Sequence, residues 1–178
     1  TGAIGFGGFF AVYTYIASTV QTTLGGSETA VALMLMTAGA GMTVFNLVMG
    51  ALADRNMNAT AVLAFGGGAL VLACYPLAAQ AGLWTMAVPV LFMGLLGGVS
   101  TVLQTRLMNV AGEAQQLAAS LHHAAFNLAN ALGPFLAARV VAAGYGFPAS
   151  GYVGAALSLA GLALYALPLR DARRQGLE

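Results

Sequence analysis

Lysine is absent from this chain, and charge of either sign is scarce: six arginines and five acids make up 6% of its 178 residues. An ordinary soluble domain carries roughly a quarter charged residues, so a water-soluble globule is excluded. With no basic cluster either, nothing speaks for a nucleic-acid partner. The one cysteine, Cys74, sits in an apolar run and cannot close an internal disulfide. No His-Glu-x-x-His or other metal constellation is present, so neither a metal nor a cofactor is expected. What the chain does have is hydrophobic residues, 60% of the total. They come in runs of the roughly 20 residues needed to cross about 30 Å of hydrocarbon. The abundance of Ala, Gly and Arg suggests a GC-rich bacterial source.

Polar and Gly/Pro punctuation divides the chain into six such runs, which makes the expected class all-α and polytopic. The approximate spans are 2–24, 28–53, 58–81, 83–109, 114–143 and 148–168, within a single bundle covering 1–168 and followed by a tail at 169–178. The opening run has no basic leader and is too long for a signal-peptide core, so it reads as the first spanning helix of a fragment. Asn58 is placed to cap the third helix, and Pro134 to kink the fifth. Asp54 and Arg55 are the first acid-base pair in the chain. A charge at mid-bilayer costs roughly 2.5 to 3.5 kcal/mol, so the pair marks a membrane exit.

Six spans put both ends on one side, and five of the six arginines fall there: Arg55, Arg106, Arg170, Arg173 and Arg174. By the positive-inside rule that side, with both ends and the tail, is cytoplasmic. Arg139 is the exception, near the outer end of helix five. It either snorkels to the far interface or points into a polar cavity.

Polar residues are shared unevenly among the helices. Helix one has Thr14, Ser18, Gln21 and Thr22 on one face, with Tyr13 and Tyr15 alongside; helix two aligns Thr43 and Asn46 with Gly39 and Gly50. Helix four carries Ser100 and Gln104 one turn apart. Helix five carries Ser120, His123, Asn127 and Asn130 at three- and four-residue spacing. The middles of helices three and six have nothing comparable. Helices one, two, four and five are therefore expected to enclose a polar surface, with three and six toward lipid. Each stripe has a plainer alternative, in which Ser, Thr and Asn bond backbone or a neighbouring helix for about 0.6 to 2 kcal/mol. Gly39, Gly41 and Gly50 on helix two, and Gly94 and Gly98 on helix four, permit close backbone approach.

Gly50-Ala51-Leu52-Ala53-Asp54-Arg55 resembles the G-x-L-A-D-R signature of the major facilitator superfamily. The stretch from Phe6 to Ile16 is similar to the seventh helix of its bacterial drug:proton antiporter and sugar-efflux branch, and Ala125 to Gly133 to the eleventh. The resemblance runs through the whole chain and implies the C-terminal six-helix half of a two-bundle transporter, which rocks one bundle against the other. It further implies a switch role for Gly50, Asp54 and Arg55, and a missing N-terminal half as partner. A second copy of this chain is the other way to cover the polar face.

The expected function is secondary active transport, as proton-coupled efflux of small molecules such as drugs or sugars. Tyr13, Tyr15, Asn46, Gln104, His123, Asn127 and Asn130 form the expected substrate wall, and no residue is catalytic. The acids all lie at segment ends, loops or the tail, so this half shows no embedded carboxylate to carry a proton; His122 and His123 can titrate near neutral pH. A six-helix channel and a half-size transporter acting as a homodimer are the alternatives. An intramembrane serine protease needs Gly-x-Ser-Gly, and Gly98-Val99-Ser100-Thr101 lacks the second glycine.

Overall fold

The computed structural model describes residues 1–174, with side chains described through Leu167. Six helices follow one another: α1 (Gly2–Thr23), α2 (28–55), α3 (57–81), α4 (Leu83–Val110), α5 (Gly112–Tyr145) and α6 (Ser150–Arg174). These six helices make up five continuous stretches, because α2 and α3 join in a single 54-residue helical run, Glu28–Ala81. Its only non-helical residue is Asn56, at φ −155° and ψ 95°.

Local chemistry explains most of the boundaries. Ser27 begins α2 by accepting the backbone N–H of Ala30 at 3.3 Å, with Glu28 in the first turn. Both are favourable at a helix N-terminus, by about 0.5 to 2 kcal/mol for the cap. The cap of α3 is Asn56, whose Oδ1 accepts the N–H of Ala59 at 2.9 Å. Asn58, the residue expected to cap there, is engaged elsewhere. Gly82 alone separates α3 from α4 at φ 137°, a conformation that L side chains rarely adopt. α5 runs through Pro134 with helical dihedral angles, so the expected kink is not a break, and the irregular backbone lies at Gly144 instead. α6 continues past Pro168 to Arg174, so the expected tail boundary at 168/169 falls inside a helix. The remainder of that tail, 175–178, lies outside the described residues.

Helix directions follow from the pairings. Gly41, Met42 and Met49 of α2 meet Gly94, Gly97 and Gly98 of α4 in rising order, so these helices run parallel. Asn58 meets Arg106 while Gly68 meets Leu96, so α3 and α4 run antiparallel. The chain therefore reverses at Asn56, and the long helical run is two membrane spans. Thr1, Arg106 and Tyr165 line one small cavity, which puts the start of α1 at the same end as the C-terminal part of α6.

Lipid tails are as apolar as leucine, so burial of oily side chains gives little drive for helices to associate, and close packing carries more of the load. The seams are accordingly built on glycine. A Cβ at Gly94 would overlap Gly41, one at Gly98 would overlap Met49, and one at Gly133 would overlap the backbone of Gly7. Gly8 faces Gly154 and Gly5 faces Gly161, so α1 lies between α5 and α6. Gly39 and Gly50 meet nothing and serve no such contact. Phe9, Ile16, Phe65, Leu72, Met86 and Leu96 fill the centre.

Candidate functional site

α5 carries three stripes, each with the period of a helix face. Ala118, His122, Ala129, Gly133 and Ala137 are buried against the bundle. Gln116, Ser120, His123, Asn127 and Asn130 are exposed on one flank, and Leu117, Leu121, Leu128 and Phe135 on the other. Arg139 is exposed and follows Leu121, Leu128 and Phe135 by helical spacing. It thus belongs to the apolar flank near the end of α5, in agreement with snorkelling and away from the polar stripe.

The polar residues of α2 and α4 meet. Thr101 Oγ1 donates to Asn46 Oδ1 at 2.5 Å, and Thr43, Asn46, Leu47, Gly50 and Thr101 line a cavity of about 450 Å³. The cavity contains two of the expected residues, Asn46 and Gly50. Tyr13, Gln104, His123, Asn127 and Asn130 lie outside its lining. Gln104 is half-buried one turn beyond Ser100. Tyr13 is exposed and stacks on Phe9 with ring centroids 5.4 Å apart. Tyr15 donates to the carbonyl of Pro134 over a long 3.4 Å, joining α1 to the polar flank of α5. Tyr15 also has helix-breaking dihedral angles, φ −104° and ψ 5°, so α1 is interrupted beside the tyrosines.

Some polar residues follow the plainer alternative. Thr22 donates to the carbonyl of Ser18, Thr43 to that of Gly39 and Ser120 to that of Gln116, each four residues back. Asp54 and Arg55 are exposed at the α2–α3 corner, four and three residues before Asn58, a member of a polar triad that the sequence did not disclose. In that triad Arg106 Nη1 donates to Tyr165 Oη at 2.8 Å and to Asn58 Oδ1 at 3.2 Å. Tyr165 Oη donates to the same Asn58 oxygen at 2.8 Å. The guanidinium also lies 5.1 Å from the Tyr165 ring centroid. The three residues come from α3, α4 and α6 and share no periodicity, so no local pattern announces them.

Two further features lie outside the expected substrate wall. His122, named with His123 as a group that can titrate, is the buried member of the pair and lies 3.2 Å from Ser100 Oγ, a contact the sequence did not disclose. At the opposite end of the bundle, Thr23, Pro76, Gln80, Tyr145, Pro148 and Tyr152 line a larger cavity of about 580 Å³. Beside it Thr19, Tyr75 and Ser150 are fully buried, their hydroxyls without a hydrogen-bond partner among the described residues. Among the described residues, no three His, Cys, Asp or Glu side chains come together.

An alternating bundle of apolar helices, glycine-seamed and polar along one flank, defines a multi-pass membrane protein. The family model of the Major Facilitator Superfamily matches residues 1–178. The inner membrane transport protein YdhP of Escherichia coli K12 is 34% identical over 175 residues, covering 98% of this chain and 44% of that protein. The uncharacterized MFS-type transporters YwfA and YtbD of Bacillus subtilis 168 are 28% and 33% identical. They cover 88% and 75% of this chain, and the matches take in 38% and 35% of those proteins. No solved structure matches the chain significantly. The chain belongs to the Major Facilitator Superfamily, and it spans less than half the length of these curated relatives.

Proposed function

We propose that the chain is the C-terminal six-helix half of a secondary active transporter of the bacterial inner membrane, exporting small uncharged molecules in exchange for protons. The polar flank of α5 carries this reading. His123, Asn127 and Asn130 are exposed on the side of α5 away from its leucines. Exposing such groups to hydrocarbon is costly, so that flank belongs against water and a second bundle. The relatives support an N-terminal six-helix half as that bundle, since each is more than twice as long as the stretch it shares with this chain.

In this reading Asn46, with Thr101, and Gln104, His123, Asn127 and Asn130 offer hydrogen bonds to substrate, while Tyr13 and Tyr15 supply aromatic contact. Gly50, Asp54 and Arg55 sit at the end that meets the other half and help to hold one conformational state. The positive-inside rule, applied to Arg55 and Arg106, supports a cytoplasmic side for that end and for Thr1.

The test is export by the full-length protein in everted membrane vesicles, against a panel of sugars and amphipathic drugs. Asn127→Ala should reduce export about fivefold, the equivalent of one hydrogen bond of roughly 1 kcal/mol. The amount of protein in the membrane should not change. Export at the parental rate removes Asn127 from the site, and saturation-free flux in the parent favours a channel.

A further inference from the structure

One titratable side chain lies inside a helix seam, outside the residues assigned to substrate. His122 is 7% exposed, and its Nε2 lies 3.2 Å from Ser100 Oγ on α4. The next α4 residue, Thr101, donates to Asn46. Two consecutive hydroxyls of α4 therefore tie it to α5 on one side and to α2 on the other. Phe126 covers the imidazole at 4.8 Å between ring centroids, and Phe126 packs on Phe6 of α1 at 4.3 Å.

The titratable group facing His122 is His123 of its own helix, with ring centroids 5.9 Å apart. From α4 comes the uncharged Ser100 and from α1 the uncharged Phe6. α6 has no charged residue from 150 to 167, and Arg106 of α4 is turned toward Asn58 and Tyr165.

We propose that His122 is a proton-binding site, and that its protonation loosens the α4–α5 seam behind the polar flank. Its place in transport rests on the reading given above. A neutral imidazole has one donor and one acceptor nitrogen, and a serine hydroxyl can answer either tautomer at Nε2. When the ring takes a proton from water, both nitrogens become donors. Ser100 Oγ must then accept, and its own hydrogen turns to the helix backbone, an ordinary partner for a helical serine. The other ring N–H needs a second acceptor, and Ser100 is the only hydrogen-bond partner the described side chains give His122. The imidazolium is therefore drawn from the seam toward the wet flank that holds His123 and Asn127. A group whose two protonation states favour different packings biases a two-state equilibrium by that difference.

The experiment uses the full-length protein with Cys74→Ser, because Cys74 is exposed, and a nitroxide spin label at Ser120→Cys. Spin-label mobility is followed from about pH 5 to about pH 8, the range in which an imidazole titrates. The expected result is a one-proton transition in the parent that persists in His123→Gln, is lost in His122→Gln and shifts its midpoint in Ser100→Ala. The last variant keeps the imidazole, so it serves if His122→Gln fails to fold. A parent spectrum independent of pH, or a transition that survives His122→Gln, overturns the proposal. Transport plays no part in this measurement. A chain that titrates as expected but exports nothing retains the proton site and loses the transporter reading; an active exporter whose transition survives His122→Gln does the reverse.

Discussion

The two exposed flanks of α5 are alike in accessibility and opposite in chemistry. Leu121, Leu128 and Phe135 line one, and His123, Asn127 and Asn130 the other, on the same stretch of helix. Exposure alone therefore says nothing about the medium a membrane helix meets. Composition separates the flanks: hydrocarbon tolerates leucine and charges heavily for amide and imidazole groups, whereas a watered interface between bundles accepts them.

The sharpest way to break the comparison is to put one charge on each flank in turn. Leu128→Asp should lower membrane insertion, measured as protease-protected full-length protein, by the roughly 2.5 to 3.5 kcal/mol that an aspartate costs in lipid. Asn127→Asp, one residue away, should insert normally. Equal losses would show that both flanks face the same medium. The buried stripe between them gives the next effect. Gly133→Leu forces a side chain into the backbone of Gly7 and should destabilise the bundle by about 1 to 3 kcal/mol. The readout is the thermal melting of the detergent-solubilised full-length protein, with Ala131→Leu on the exposed side as control. Matching melting curves for the two variants would contradict the close α1–α5 contact. The smallest effect belongs to the polar seam: Thr101→Val removes the bond to Asn46 and should cost about 0.6 kcal/mol. A fall in melting temperature as large as that of Gly133→Leu would mean that polar groups, rather than glycine packing, hold α2 to α4.

The sequence disclosed the features that repeat along one helix. Six apolar runs set the spans, and spacing of three and four put His123, Asn127 and Asn130 on one exposed flank. It could not disclose pairings between helices. Arg106, Asn58 and Tyr165 meet only because α3, α4 and α6 converge at one end, and Tyr165 sits on a helix expected to face lipid. His122 and His123 are adjacent and chemically identical, so only the rotation of α5 against α4 decides which is buried. The cap at Asn56 was missed for a subtler reason. Asn56 and Asn58 are equally good caps, and the choice depends on how tightly the chain turns. The large cavity at the opposite end is built from helix termini, where Gly144, Gly146 and Pro148 erase any period.

The reversal at Asn56 leaves no slack between α2 and α3. A loop would absorb the tilt of one helix before the next felt it; a one-residue corner acts as the fulcrum of a rigid bell crank. Any tilt of α2, which bears Asn46 and Gly50, is delivered at once to α3. From there it reaches Arg106 and Tyr165 through Asn58, two residues past the fulcrum. Asp54 and Arg55 lie beside the same pivot, so under the proposed function a second bundle pressing on them would move both arms together.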